Sequence, residues 1–212
     1  MNILELKRYD LYPYLINKME CKIGIEVGVR EGYHSKNLLE KTSIYLYGVD
    51  IKNDERASLV FNTYSNRSKY IIGDSVNVST IFENESLDFI HIDADHHYEN
   101  VLNDLNAWYP KLKTKGIFSG DDYQIMWSVA EGTFGIVSAV EEFICDKNIE
   151  LNITKLGAVS KTERLKYAKE IGYKIESNLI IGMSKYYYVE PNLLRDRQEH
   201  DNVEPIQWWF IK

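Results

Sequence analysis

Two acidic clusters, each placed directly after a short apolar run, constrain the fold of this chain most strongly. Asp93-Ala-Asp-His96 follows the run Leu87 to Ile92. Asp121 and Asp122 follow the run Gly116 to Ser119. Short apolar runs of this kind are typical of buried strands, and the carboxyl ends of the strands form the ligand-binding edge of an open α/β sheet. We therefore expect the two clusters to meet at one oxygen-rich site that suits a metal ion.

The segment between the clusters has the periodicity of a helix that returns the chain across the sheet. Apolar residues at helical spacing predict a helix from His97 to about Lys113, with Pro110 kinking or ending its last turn. These apolar residues are Tyr98, Val101, Leu102, Leu105, Trp108, Tyr109 and Leu112. A right-handed strand, helix and strand crossover leaves the two strands parallel, with their carboxyl ends at the same edge.

The remainder of the chain continues this alternation. An amphipathic helix is predicted at 11–19, followed by strands at 22–28, 44–49 and 70–72 and by helices at 35–40 and 54–64. Beyond Asp122 we predict a helix at 137–146, a strand at 149–156 and a helix at 161–171, while 179–183, 186–189 and 206–211 compete for the remaining strands. Strands separated by helices indicate an α/β fold, a Rossmann-like doubly wound parallel sheet with helices on both faces.

Composition excludes several classes of protein. The 212 residues fit one domain, and a net charge of −7 without a Lys/Arg cluster argues against nucleic acid as a partner. Cys21 and Cys145 stand alone, which argues against a disulfide framework and a structural zinc site. The first twenty residues carry charges throughout, and no apolar run is long enough to span a membrane. We expect a cytoplasmic protein.

The ends of the first three predicted strands also carry acidic residues. Glu26, Gly28 and Gly32 form the pattern E-x-G-x-x-x-G, in which glycine lets the backbone approach a ligand and the acid suits a cationic one. Asp50, a little over twenty residues beyond Gly28, can accept hydrogen bonds from ribose hydroxyls. The pair Asp74-Ser75 follows the third strand, within reach of an adenine amino group. Each aspartate alone suits a helix N-cap, but three acidic strand ends in succession favour a ligand.

These motifs match one known family in order and spacing. They are E-x-G-x-x-x-G, Asp50, GDS at 73–75, IDADHHY at 92–98 and GDDY at 120–123. From about Ile23 to Phe143 the chain resembles the class I S-adenosylmethionine (SAM)-dependent methyltransferases. Within them it resembles the small metal-dependent sugar O-methyltransferases of the macrocin and rhamnosyl type. The resemblance implies a seven-stranded, mostly parallel sheet and a single methyltransferase domain over residues 1–212.

The resemblance also implies the roles of the site residues. Glu26, Gly28, Gly32, Asp50, Asp74, Ser75 and Asp93 would bind SAM, and Asp93, Asp121 and Asp122 would bind Mg²⁺ or Mn²⁺. His96 would be the general base, a role that its near-neutral pKa allows. Because neighbouring residues of a regular strand point to opposite faces, we expect one of Asp121 and Asp122 to stand behind the other. Asp122 aligns with the more typical acid of the family, so the resemblance implies that Asp122 is the direct metal ligand. The acceptor would be a sugar or glycan hydroxyl.

The resemblance assigns the outer parts of the chain as well. Residues 1–20 are expected to be an N-terminal helical extension, and 158–205 a variable decoration. Residues 123–135 directly follow the second acidic cluster, and we expect them to form a lid that excludes water. His91 and His97 are expected to be structural. A homo-oligomer is compatible with this assignment.

Three other functions are compatible with parts of the sequence. HIDADHH is similar to H-x-H-x-D-H of zinc metallohydrolases, but Asp93 replaces one histidine and only His200 follows His97. A non-catalytic domain could keep the nucleotide fold and bind a glycan or protein, although the intact acids and His96 argue against loss of activity. A nicotinamide oxidoreductase is disfavoured because Glu26 would repel a pyrophosphate.

Overall fold

The computed structural model describes residues 3–123, 127–128, 132–133, 135–154, 174–176, 179–181 and 207–212. The helices are α1 (Arg8–Lys18), α2 (Tyr33–Lys41), α3 (Glu55–Thr63), α4 (Ser75–Ser79), α5 (Tyr98–Trp108) and α6 (Ile136–Lys147), with 3-10 turns at Ile3–Glu5 and Tyr109–Lys111. The strands are β1 (Ile23–Val27), β2 (Tyr45–Asp50), β3 (Ser68–Ile72), β4 (Leu87–Ile92), β5 (Leu112–Gly120), β6 (Trp127–Ser128), β7 (Gly132–Thr133), β8 (Asn152–Ile153), β9 (Lys174–Glu176), β10 (Leu179–Ile181) and β11 (Trp208–Ile211).

Seven of the eleven described strands form one large sheet with the order β3-β2-β1-β4-β5-β11-β8, and the others form two separate pairs, β9 with β10 and β6 with β7. The strands from β3 to β5 pair in parallel, and β11 is antiparallel to both β5 and β8. Val27 of β1 pairs with Ile92 of β4, which pairs with Gly120 of β5. The carboxyl ends of these three central strands therefore lie level with one another, and the predicted fold class is confirmed.

Helices cover both faces of the sheet because the central strands β1 and β4 bury side chains on both sides. Val101, Leu105 and Trp108 of α5 pack with Ile90 in one core. On the other face, α1 and α2 pack against Phe89 through Leu11, Tyr12, Leu15, Ile16, Leu38 and Leu39. Burying one large apolar side chain contributes about 1.5–3 kcal/mol, so these layers supply much of the stability of the fold.

The helix predicted from His97 to Lys113 was wrong at its C-terminal end. The α-helix ends at Trp108, a 3-10 turn holds Pro110, and β5 already begins at Leu112. Proline disrupts a helix interior because its ring clashes with the preceding turn and it has no N–H group to donate. The short helix α4 was not predicted.

The C-terminal strands also differ from the prediction. Within the described part of the strand expected at 149–156, residues 149–154, the strand is limited to Asn152–Ile153. Leu179–Ile181, from the run 179–183, form β10, which pairs with β9 outside the large sheet. β11 confirms the strand expected at 206–211. The helix predicted at 161–171 and the strand considered at 186–189 lie outside the described residues.

Two expectations from composition concern the chain as a whole. No helix in the described ranges has both the length and the apolar character needed to cross a membrane. Cys21 is buried, Cys145 is exposed, and both are free thiols.

Candidate functional site

The acidic clusters after β4 and β5 meet at the carboxyl edge of the sheet, as predicted. Asp93 follows β4 and Asp122 lies two residues after β5. His96 stands between them, with its Nε2 3.6 Å from Asp93 Oδ1 and 3.7 Å from Asp122 Oδ2. All three side chains are about one-fifth exposed. We call Asp93, His96 and Asp122 the outer acidic cluster.

Asp121 and Asp122 face different surroundings. Asp122 has a left-handed backbone with φ of 56°, so the regular strand geometry has ended at this point. The Asp121 carboxylate is buried, and its Oδ2 lies 3.8 Å from His91 Nε2 of β4. We call His91, Asp93 and Asp121 the inner acidic cluster. In each cluster the candidate ligand atoms lie within 4.8 Å of one another, and Asp93 belongs to both.

Arg8 of α1 joins the two strand ends from below, a role that the sequence analysis missed. Its guanidinium Nη2 donates to Asp93 Oδ2 at 2.7 Å, and its Nε lies 2.6 Å from Asp121 Oδ2. Although burial lowers the pKa of Arg8, the carboxylates of Asp121 and Asp93 raise it above its usual range. The predicted N-terminal extension therefore supplies part of the candidate site.

Tyr12, one helical turn beyond Arg8, strengthens this connection. Its hydroxyl donates to the Gly120 carbonyl oxygen at 2.7 Å and lies 3.3 Å from Asp121 Oδ1. One signal could have revealed both residues. Arg8, Leu11, Tyr12, Leu15 and Ile16 lie on one helical face, and the last four are almost fully buried. A charged residue on a buried face requires a partner of opposite charge in the interior.

Burial and neighbouring charges move the pKa values of the two inner carboxyls in opposite directions. Burial would raise the pKa of Asp93, but His96 and Arg8 favour the charged form and lower it to about 2. Burial raises the pKa of Asp121 well above its usual value, and the carboxylates of Asp93 and Asp122 raise it further, although Arg8 lowers it. The carboxyl edge of the sheet thus holds more carboxylate groups than the guanidinium of Arg8 can neutralise, and this excess favours the binding of a further cation.

Beneath Arg8 lies a buried polar layer formed by Glu26, His34, Ser35 and His91. Glu26 accepts a short hydrogen bond from the Ser35 hydroxyl, and its Oε1 lies 3.3 Å from His34 Nδ1. Burial raises the pKa of Glu26 to about 8, even though Ser35 and Arg8 lower it. Burial also lowers the pKa values of His34 and His91, which are neutral at physiological pH. A cationic ligand group would bring Glu26 into its charged form.

A cavity of about 520 Å³ lies along the ends of β1, β2 and β3 and contains most of the residues predicted to bind the cofactor. We call it the β2-side cavity. Asp50 lies on its wall and accepts hydrogen bonds from the backbone N–H groups of Arg30 at 2.7 Å and Lys52 at 2.9 Å. Asp74 caps α4 by accepting from the N–H of Asn77 at 2.9 Å. The Ser75 hydroxyl accepts from the Trp108 indole at 2.8 Å.

Gly28 and Gly32 have the left-handed backbone that glycine tolerates, with φ of 91° and 79°. A Cβ on Gly28 would lie 2.1 Å from the Asp93 carbonyl oxygen, and one on Gly32 would lie 3.0 Å from Ala57 Cα. Both glycines therefore allow close packing of backbone on backbone. This packing draws the loop after β1 against the outer acidic cluster.

A second cavity, of about 820 Å³, opens above α1 and α2 and borders both acidic clusters. We call it the α1-side cavity. It shares Gly28, Arg30 and the residues 93–95 with the β2-side cavity, so the two adjoin at Asp93. Tyr9 and Tyr33 line it, with exposed fractions of 44% and 61%. Exposed aromatic faces beside carboxylates suit a polyhydroxylated ring, which has both apolar faces and hydroxyl groups.

The segment predicted as a lid lies partly outside the described residues. Tyr123 at its start is buried, and its hydroxyl donates a short hydrogen bond to Glu141. Gly135 at its end donates through its N–H to the His96 carbonyl oxygen at 2.7 Å. The segment thus begins next to Asp122 and ends on His96, while its role as a lid stays a prediction.

Asp104 of α5, which the sequence analysis did not single out, borders the β2-side cavity and has only 4% of its surface exposed. Burial raises its pKa to about 6, although a hydrogen bond with Ser75 lowers it. The unfolded chain loses this proton near pH 4, so the wild type should lose stability as pH rises from about 4 to about 6. Relative to Asp104→Asn, this loss should be about 3 kcal/mol, since one pKa unit corresponds to about 1.4 kcal/mol. Urea unfolding of both proteins from pH 4 to pH 7 measures it, and parallel pH profiles would contradict it.

Comparison with known proteins identifies the domain. Residues 25–123 match the model of a family described as a methyltransferase domain. This range runs from β1 to just beyond the second acidic cluster. It contains every residue that was predicted to bind the cofactor or the metal, as well as the predicted general base. The match covers 99 of the 212 residues, just under half of the chain, and the prediction of a methyltransferase is confirmed at that level.

Solved structures with the same fold include two O-methyltransferases. The O-methyltransferase from Bacillus cereus, in complex with SAH, has a TM-score of 0.60 and 13% identity over 97% of this chain and 80% of that one. TomG from Streptomyces achromogenes, involved in tomaymycin synthesis and in complex with SAM, has a TM-score of 0.57 and 11% identity over 97% and 79%. At these identities the likeness shows the fold alone.

One curated relative has a higher sequence identity to this chain than these solved structures, but the match covers a smaller part of the chain. Protein R132 of Acanthamoeba polyphaga mimivirus, described as uncharacterized, is 26% identical over 135 residues. The match covers 58% of this chain and 59% of that protein.

Proposed function

We propose that this chain is a SAM-dependent O-methyltransferase that methylates a hydroxyl group of a sugar or glycan. The observation that carries the proposal is the junction of the two cavities at Asp93. A donor in the β2-side cavity and an acceptor in the α1-side cavity would meet beside the outer acidic cluster. The matched methyltransferase domain and the SAM- and SAH-bound structures of the same fold support SAM as the donor.

The residues of the β2-side cavity fit SAM. Asp50 ends β2 and keeps its carboxylate at the cavity wall, where it would accept hydrogen bonds from the ribose hydroxyls. Asp74 and Ser75 would lie near the adenine. Glu26, which lines the adjoining α1-side cavity, would lie near the methionine amino group. The raised pKa of Glu26 supports this placement, because a cationic partner stabilises the charged form of a buried carboxyl group.

The outer acidic cluster fits a divalent cation. Asp93 Oδ1, Asp122 Oδ2 and His96 Nε2 lie within 4.8 Å of one another and face the α1-side cavity. Carboxylate oxygens are the ligands that Mg²⁺ and Mn²⁺ prefer. Asp93 and Asp122 would hold the ion, and Asp121, paired with Arg8, would stand behind them. A bound ion supplies Lewis acidity, which lowers the pKa of an acceptor hydroxyl.

The side chains around this position would carry out the remaining steps. SAM, held by Asp50, Asp74, Ser75 and Glu26, would supply an electrophilic methyl group on its sulfonium and would leave as S-adenosylhomocysteine. His96 would accept the hydroxyl proton at Nε2, because that atom lies between both carboxylates and faces the cavity. Asp93 would stabilise the imidazolium that results. Tyr9 and Tyr33 would stack on the acceptor ring and orient it.

Cofactor binding tests the first half of the proposal. Asp50→Ala should weaken SAM binding about 10- to 100-fold, because hydrogen bonds to a charged group contribute about 1.5–3 kcal/mol. Isothermal titration calorimetry measures this affinity. Asp54→Ala is the matched control, since Asp54 caps α3 by accepting from the N–H of Arg56 and lies outside both cavities. Equal SAM affinity in Asp50→Ala and wild type would contradict the assignment.

Acceptor class is tested by screening methyl transfer from labelled SAM to nucleotide sugars and glycan termini, with catechols and other small phenols as the comparison set. We expect transfer to sugars alone. Transfer only to phenols would support the proposed O-methyltransferase activity but would show that the acceptor is a phenol and not a sugar. Tight SAM binding without transfer to any acceptor would favour the non-catalytic alternative. Zinc bound in the purified protein, with hydrolytic activity, would favour the metallohydrolase.

A further inference from the structure

The inner acidic cluster has the composition of a cation site, and a side chain of the protein already lies on it. Arg8 contacts two of its three members, Asp93 Oδ2 and Asp121 Oδ2, at 2.7 and 2.6 Å. Arg8 is also the first residue of α1, and Tyr12 of the same helix binds the end of β5. The guanidinium is therefore held in place by a packed helix.

The third member, His91, provides an independent sign of a ligand position. It is fully buried, and its Nε2 has no hydrogen-bond partner among the described residues. Its other ring nitrogen, Nδ1, lies 3.1 Å from the Ser119 hydroxyl, which fixes the ring orientation. In metal-ligating histidines, one ring nitrogen is held by a hydrogen bond and the other faces the metal in a fixed direction. In His91 the contact at Nδ1 fixes the direction of Nε2 in the same way. Here that direction is toward Asp121.

We propose that Arg8 is a tethered cation that fills the inner acidic cluster and restricts a divalent ion to the outer one. Asp93 is shared, with Oδ2 on Arg8 and Oδ1 toward His96 and Asp122. Arg8 thereby orients the Asp93 carboxylate and acts as a positioning residue. The inference rests on the proposed function only where it assumes that the outer cluster takes a metal ion.

Removing the guanidinium should open a second metal site. In Arg8→Met the side chain keeps an apolar stem but loses its charge, which leaves His91, Asp93 and Asp121 as two carboxylates and one imidazole. Carboxylate and imidazole donors together suit Mn²⁺ and later transition metals. We therefore expect one Mn²⁺ ion per chain in the wild type and two in Arg8→Met.

The measurement is a Mn²⁺ titration that follows free Mn²⁺ by electron paramagnetic resonance, which needs no acceptor or turnover. Arg56→Met is the matched control, because Arg56 is an exposed arginine that pairs with Asp54 and Glu31 at the surface. Both variants lose one positive charge, so a general increase in cation attraction would appear in both. We expect the count in Arg56→Met to equal that of the wild type.

The difference in count between Arg8→Met and wild type decides the inference. Two ions in Arg8→Met against one in the wild type would support the inference. One ion in Arg8→Met against none in the wild type would still show that Arg8 fills the inner acidic cluster, but it would remove the metal from the proposed function. Equal counts in the two proteins would overturn it.

A second pair of variants applies even if Arg8→Met does not fold. Asp122→Asn should weaken Mn²⁺ binding about tenfold or more, since losing even an outer partner of a ligand typically costs 10–100-fold. Asp121→Asn should change the affinity far less, because Asp121 faces Arg8 and its amide can still accept from Tyr12. An equal loss in both variants would overturn the inference, because Asp121 would then hold the ion directly.

Discussion

Replacing His96 with alanine is expected to lower the rate of methyl transfer about 10²- to 10⁴-fold, the usual contribution of a general base. The His96 Nε2 atom lies 3.6 and 3.7 Å from the two carboxylates of the outer acidic cluster, where an acceptor hydroxyl would be held. The affinity for SAM should stay unchanged, because His96 lines the α1-side cavity and not the β2-side cavity. Single-turnover kinetics with saturating SAM measure the rate directly.

The neighbouring histidine supplies the control. His97 is half-exposed and its ring pairs with Asp95, so His97→Ala should remain near the wild-type rate. The Mn²⁺ affinity of His96→Ala distinguishes a general base from a metal ligand, because removing a base does not weaken Mn²⁺ binding. Full activity of His96→Ala would contradict the assignment and make Asp95 the next candidate. A parallel fall in rate and in Mn²⁺ affinity would make His96 a metal ligand.

Removing divalent metal ions should also cause a large loss. Lewis acid assistance typically contributes several kcal/mol, so chelation should slow methyl transfer about 10²-fold or more. Adding Mg²⁺ or Mn²⁺ in excess over the chelator should restore the rate. SAM affinity measured in the chelator should change little, because Asp50, Asp74 and Ser75 belong to neither acidic cluster. Undiminished turnover in the chelator would eliminate the metal from the mechanism.

The sequence was sufficient to predict the framework of the candidate site. Asp93 and Asp122 each follow an apolar strand, and the right-handed crossover brings strand ends to one edge without any knowledge of side-chain contacts. The alternation of side chains along a strand predicted that Asp121 and Asp122 would diverge, but in the structure β5 ends at Gly120 and the left-handed backbone of Asp122 separates the two side chains. These predictions depend on backbone rules that local sequence determines.

The underside of the site could not be predicted in the same way. Arg8 and Asp93 are 85 residues apart, and their pairing depends on how α1 packs across the sheet. The helical spacing of Arg8 with Tyr12 and Leu15 does predict an inward position for Arg8, but not which acid it meets. His91 lies on the same face of β4 as Phe89, which packs under α1. The alternation of side chains along the strand predicts that His91 is buried, but it does not predict which residue His91 contacts.

The central claim is that a methyl group passes from SAM to a hydroxyl oxygen on this chain, and carbon-13 NMR tests it most directly. The protein would be incubated with SAM labelled at the methyl carbon, Mg²⁺ and the best acceptor of the sugar screen. The account predicts a labelled methoxy signal that grows in step with S-adenosylhomocysteine and is absent with His96→Ala on the same timescale. A label that stays on SAM with every acceptor, or that appears on nitrogen or carbon, would contradict it.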